Sequence, residues 1–194
     1  QYTDPFVLTR GAVNFKNKLR IMTYNVHEFK NANREEASRQ MARVIKEVDP
    51  DIPLIQEGTQ DGIPALPSSG YIGGGVLHTI DKPIHYSNSI RCKADYILYN
   101  YVYIKEGMLV ETLFNDKIGA DDRCAIILLV KMVKFNYKFL LINTHFSDNH
   151  ENQPDNVNNL LMKLDEILKN PDLANIDIYL SGDFNSYSRP DTHY

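Results

Sequence analysis

The stretch Ile176-Asp177-Ile178-Tyr179-Leu180-Ser181-Gly182-Asp183-Phe184-Asn185 decides how the chain is read. Its first half is β-branched and aromatic, the composition of a strand, and its second half puts a glycine, an acid and an amide at the strand's end. Asp183 and Asn185 stand two residues apart, so both side chains can leave the strand on one side and enter a single site. Alone, the same tetrapeptide reads as a tight Asx-type turn. Three other apolar runs end in a similar way. Thr23-Tyr24-Asn25 closes the run that begins at Leu19, Gln56-Glu57 follows Ile52-Pro53-Leu54-Ile55, and Asn143-Thr144-His145 ends the most hydrophobic run of the chain. Each has an ordinary reading: a turn or cap for Asn25, an ion pair for Glu57, a hydrogen-bonded structural residue for His145. As a set they offer the amide and carboxylate oxygens that a magnesium- or manganese-type ion prefers, with an imidazole able to hydrogen-bond a phosphoryl oxygen.

Composition narrows the setting. With 194 residues, 43% of them hydrophobic, the chain can bury one substantial core. We divide it into an N-terminal extension, 1–17, and one domain, 18–194. A formal charge of −4 argues against holding nucleic acid through a broad basic surface, and leaves room for an enzyme that visits a substrate briefly. Cys92 and Cys124 have no paired metal-site spacing and read as free thiols, with nothing in the sequence to support a disulfide. The first eighteen residues hold no apolar signal-type core, and no run of eighteen apolar residues occurs, so neither a signal peptide nor a membrane span is visible and the compartment stays unassigned.

Around the four motifs the chain alternates strands and helices at its ends and runs through strands in the middle. Leu19 to Val26 reads as a strand ending at Asn25. A helix follows, capped by Asn33 with Glu36 and carrying Ala37, Met41, Val44, Ile45 and Val48 on one stripe until Pro50 stops it. Ile52 to Gln56 is a short buried strand delivering Glu57, although Pro53 cannot donate to a ladder, so the strand must start late, sit beside a bulge or leave that position unpaired. From Gly58 to Lys82 the glycine and proline content, centred on Gly73-Gly74-Gly75, marks an irregular loop. The triplet is not a nucleotide-cradling P-loop, because no Lys-Ser/Thr follows it. Ile84 to Ile90, Ala94 to Lys105, Cys124 to Phe135 and Tyr137 to Phe146 read as consecutive antiparallel strands. A second helix, about Asp155 to Leu168, aligns Val157, Leu160, Leu161, Leu164, Ile167 and Leu168. The order predicts an α/β or α+β layered fold.

The four motifs, in this order, resemble the endonuclease/exonuclease/phosphatase superfamily, the DNase I-like fold, over about Lys18 to Pro190. The resemblance rests on Arg20-Ile21-Met22-Thr23-Tyr24-Asn25-Val26, Pro50-Asp51-Ile52 leading to Gln56-Glu57, Asn143-Thr144-His145 and Gly182-Asp183-Phe184-Asn185. Softer matches are Tyr86-Ser87-Asn88-Ser89-Ile90 and Arg123-Cys124-Ala125. It implies a four-layer sandwich of two mixed β-sheets flanked by helices, and a magnesium- or manganese-dependent phosphodiester hydrolase, most simply a nuclease. In that reading Glu57 binds the ion with Asn25 beside it, and Asp183 and Asn185 orient the attacking water and the phosphate. His145 stabilises phosphoryl charge, and Asn88 and Arg123 add phosphate contacts. Nucleic acid is the implied substrate, with a phosphorylated small molecule or a phospholipid as alternatives. Lys30, Arg34, Lys82, Arg91 and Lys117 are scattered candidates for a basic groove. The family's last Asp-His segment has no counterpart, since His193 lies too close to Asn185 to be that element. The resemblance therefore implies an incomplete C-terminal part, completed by a further segment or a partner chain, or else an inactive binding or structural protein on the same fold. His27 could sit near the site or equally be a solvated loop residue, whereas His78, His85 and His150 have no metal-ligand spacing.

Overall fold

A computed structural model describes residues 18–30, 32–33, 37–59, 73–77, 84–93 and 98–186. The proposed 1–17 extension, Arg34, Glu36, His78, Lys82, His193 and most of 58–82 lie outside them. Strand β1 is Ile21–Asn25, β2 is Ile52–Thr59, β3 is Gly73–Leu77, β4 is Ile84–Lys93 and β5 is Leu98–Ile104. They form one mixed sheet in the order β1-β2-β5-β4-β3, with β1 parallel to β2 and the remaining pairs antiparallel. Strand β6 is Met108–Lys117, β7 is Cys124–Met132, β8 is Tyr137–His145 and β9 is Asp177–Asp183. The second sheet runs β6-β7-β8-β9, and only its β8-β9 pair is parallel.

Period-two alternation sorts the side chains into layers. Ile52 and Leu54 of β2 and Val102 and Ile104 of β5 point inward, against Cys124, Ile126, Leu128 and Val130 of β7 and Phe139 and Leu141 of β8. The residues between them face outward. Ile55, Tyr101 and Tyr103 pack under helix α1, Ser38–Val48, through Ile45 and Met41. Ala125, Ile127 and Ile142 pack under helix α2, Gln153–Leu168, through Leu160 and Leu164. Strands buried on both faces explain why β7 and β8 read as nearly continuous apolar runs. The result is the expected sandwich of two sheets flanked by helices.

Several elements differ from their sequence reading. Gly73-Gly74-Gly75 is not loop but the start of edge strand β3; its order comes from β4, with Gly73 opposite Ser89 and Gly75 opposite Tyr86 around an irregularity. Strand β6 went unread, because a bulge between Thr112 and Phe114 breaks its alternation. Helix α1 starts at Ser38, with Ala37 at its cap position and no side-chain cap bond, so Asn33 is not its cap. Pro53 is tolerated because Ile52 donates to Arg20 O; by alternation the missing N–H faces β5, whose register begins one residue later at Leu54↔Val102. Cys92 and Cys124 are not free: they are paired across the inter-sheet layer as a disulfide, Cα atoms 6.3 Å apart. Only the stacking of the two sheets makes them neighbours.

Candidate active site

The strand ends that carried the motifs meet at one edge of the sandwich. Asn25 and Glu57 come from the first sheet, and His145, Asp183 and Asn185 from the second. Glu57 lies within a bulge in β2, between Ile55 and Gly58, and has φ +54°, a left-handed conformation uncommon for a residue with a side chain. A β-carbon at Gly58 would lie 2.7 Å from the buried Tyr101 ring, so the chain can close up beside the bulge only with glycine there. Asn185 is also left-handed, φ +47°, and its N–H donates to Asp183 Oδ1 at 3.0 Å, the Asx-type turn realised together with a site geometry.

The centre is Asn25. Its Nδ2 donates to Glu57 Oε1 at 2.9 Å and to Asp183 Oδ2 at 2.9 Å, while its Oδ1 accepts the His27 N–H at 2.9 Å. Two carboxylates from different sheets thus converge on the electropositive face of one amide. His27 Nδ1 lies 3.4 Å from Glu57 Oε2. His27 to Phe29 form a 3-10 turn with positive φ throughout, held by the buried Phe29.

His145 is buried, with Nε2 3.7 Å from Glu57 Oε1. Asn185 Nδ2 donates to Phe146 O at 2.9 Å and lies 3.0 Å from His145 Nε2, so that ring nitrogen is the acceptor. Arg123 Nη1 lies 3.3 and 3.4 Å from the two ring nitrogens, and its Nη2 donates to Asp148 at 3.1 Å. Burial, with the Arg123 charge second, holds the His145 pKa below its ordinary value against the opposing pull of Glu57, Asp183 and Asp148. Burial pushes the Asp183 carboxyl up, but hydrogen bonds from Asn25 and the Asn185 N–H, helped by His145 and Arg123, outweigh it and leave it below the usual carboxylate range. The site therefore presents an ionised carboxylate, a neutral imidazole and a fixed cation. A cleft lined by Thr23, Tyr24, Asn25, Gln56, Gly182, Asp183, Phe184, Asn185 and Ser186 gives access.

Of the sequence candidates, Asn25, Glu57, His145, Asp183, Asn185 and Arg123 assemble here. Asn88 stands on β4 opposite Ile104. Among the described basic-groove candidates, Lys30 pairs with Glu28, Arg91 stacks over Tyr99 and Lys117 pairs with Asp122. His150 lies near Gln153. Sequence reasoning missed the supports at the start of α2. Gln153 Nε2 donates to Ser147 O at 2.8 Å and to Asn185 O at 2.9 Å, while Asn156 accepts the Ser147 N–H at 2.8 Å and donates to Asp121 at 3.1 Å. The signal was present, since Asn156 stands four residues before Leu160 on the apolar stripe. Among the described residues, no group of three or more His, Cys, Asp or Glu side chains is arranged to hold a metal ion.

No protein-family model and no curated protein matches the sequence. Solved structures do match the fold. An endonuclease/exonuclease/phosphatase family protein from Bacteroides thetaiotaomicron is 17% identical, with a TM-score of 0.58 over 90% of this chain and 65% of its own. The mannosyl-6-phosphatase Bt3783 of the same organism is 16% identical, TM-score 0.59, over 87% and 66%. D. rerio TDP2, complexed with a single-strand DNA product, is 16% identical, TM-score 0.58, over 88% and 62%. The chain thus spans less than two thirds of the length of each. Two stacked mixed sheets flanked by helices form the DNase I-like fold, which the chain shares with these structures.

Proposed function

We propose that the chain is a divalent-metal-dependent phosphodiester hydrolase acting on nucleic acid. The observation that carries this reading is the convergence of Glu57 and Asp183, from separate sheets, on the Asn25 amide beside a neutral His145 and the Arg123 cation. Converging carboxylate oxygens suit a hard cation, and Glu57 with Asn25 beside it would hold one. When bound, such an ion offsets charge on a phosphoryl oxygen and lowers the pKa of water. Asp183, ionised, orients the attacking water and accepts its hydrogen bond. Asn185 fixes the imidazole through Nε2, and His145 and Arg123 meet the charge that grows on the phosphoryl oxygens. Losing one such contact typically costs about 2.7–4 kcal/mol of transition-state stabilisation. The nucleic-acid substrate is supported by the likeness to a structure bound to a DNA product, and the likeness to a sugar phosphatase makes a phosphomonoester the competing substrate.

The test is hydrolysis of single-stranded DNA, plasmid DNA and a hexose 6-phosphate with magnesium, with EDTA, and by Glu57→Ala. DNA cleavage that needs both the metal and Glu57 supports the proposal. Turnover of the sugar phosphate alone reassigns the substrate, and wild-type rates in Glu57→Ala end the reading.

A further inference from the structure

The two halves of the site belong to different sheets, so their separation depends on whatever sets the spacing of the sheets beneath them. Along most of the sandwich that layer is apolar. Following the inward positions toward the site, β2 runs Ile52, Leu54, Gln56 and β8 runs Phe139, Leu141, Asn143, His145. Directly below the site, therefore, the layer changes from aliphatic to amide. Gln56 and Asn143 are both buried, at 1% and 0% exposure. Gln56 Nε2 donates to Asn143 Oδ1 at 2.7 Å, a hydrogen bond between the sheets.

The direction of the bond between Gln56 and Asn143 is fixed. Asn143 Nδ2 donates to Tyr101 O at 3.1 Å, a backbone carbonyl of β5 that can only accept, so Asn143 Oδ1 must turn toward Gln56. Gln56 must then present Nε2, which also donates to the Thr23 hydroxyl oxygen at 3.1 Å, while that hydroxyl lies 3.3 Å from Gln56 Oε1. Thr23 stands on β1 two residues before Asn25, Gln56 precedes Glu57, and Asn143 precedes His145 by two. The network thus touches each strand that delivers a central residue of the site, except β9.

We infer that the Gln56–Asn143 bridge is a positioning device that sets the separation of Glu57 and Asn25 from His145 and Asp183. A buried amide pair adds little stability over an apolar pair of similar volume, but it admits one register where apolar surfaces admit several. Another cross-sheet contact, from Asn25 to Asp183, lies in the cleft where a ligand would displace it. The buried bridge is out of a ligand's reach and keeps the register when the cleft is filled.

The test replaces both partners at once, Gln56→Met with Asn143→Leu, so that no unpaired amide remains. The double variant is expected to keep the wild-type thermal midpoint or exceed it. The Asn25 side-chain amide, held between two sheets, should exchange with solvent about tenfold faster or more. The swapped pair, Gln56→Asn with Asn143→Gln, should restore slow exchange. The kinetic arm rests on the proposed hydrolase activity, and there kcat should fall about tenfold or more with KM little changed, as a small misplacement of reacting groups produces. The exchange arm does not rest on it, so an inactive wild-type protein would count against the activity and leave the bridge testable. A folded double variant whose Asn25 amide exchanges as in wild type overturns the inference. Should the double variant not fold, Thr23→Val at the exposed end of the network decides instead: faster Asn25 exchange supports the bridge, and unchanged exchange overturns it.

Discussion

Gly182 is the residue at which the site tolerates least change. It lies opposite Thr144 in the parallel β8-β9 ladder with φ +145°, and a β-carbon there would meet Thr144 O at 2.0 Å. Gly182→Ala should therefore cost about 2–5 kcal/mol, the sum of backbone strain and overpacking, read as a lower urea midpoint. His145 makes a second prediction. Its folded pKa lies below the ordinary 6.5, through burial first and Arg123 second. Between the folded value and 6.5 the unfolded chain binds a proton that the folded chain refuses, so this contribution to stability is complete above 6.5 and is lost as pH falls toward the folded value. In Arg123→Gln the imidazole should titrate at higher pH, and the acid-side loss should shrink, as an imidazole NMR titration without added metal would record. An unmoved midpoint would mean that Arg123 does not act on the ring.

At the scale of elements, the sequence showed which strands end in chemistry but not how the ends are shaped. The Gly-Asp-Phe-Asn turn, Glu57 after an apolar run and the buried part of each helix stripe could be read because burial imposes a period, whereas Val44, Val157 and Leu161, read on the same stripes, are exposed. The bulge that turns Glu57 to φ +54° could not, since it depends on pairing with β5, whose partners, from Thr59↔Leu98 to Leu54↔Val102, lie 39 to 48 positions away in the chain. Nor could the orientation of Asn25, which is decided by two carboxylates and a backbone N–H that only the folded sheets bring together. Strands β3 and β6 escaped because glycines carry no pattern and a bulge resets one. Helix α2 supplies the element-scale prediction. Leu160 is its buried anchor, 3% exposed, whereas Met162 two residues on is 69% exposed. Leu160→Ala should cost about 2–5 kcal/mol and Met162→Ala within about 0.5 kcal/mol, measured by equilibrium unfolding. Because Gln153 and Asn156 tie α2 to the Ser147 and Asn185 loops, the Leu160 variant should also lose turnover before it unfolds globally.

For the whole molecule, the decisive fact is that the site is shared. Asn25 and Glu57 cannot meet Asp183 and His145 unless both sheets are folded and stacked, so the unfolded chain offers no preformed site. Anything that binds there binds only the native state, and its binding energy becomes folding stability. Two carboxylates that converge on one amide repel each other, and a divalent cation relieves that repulsion. At about a hundred times its dissociation constant, a magnesium or manganese ion should stabilise the fold by about 2.7 kcal/mol. In a protein of this length that corresponds to a rise in thermal midpoint of about 5–10 °C. Calorimetric scans with the metal, with EDTA and with sodium chloride at matched ionic strength separate specific binding from screening. Glu57→Ala should unfold at nearly the same temperature with and without the metal. If the wild-type midpoint moves no more than in salt alone, the ion does not bind between the sheets, and the metal-dependent step falls whatever the activity assays return.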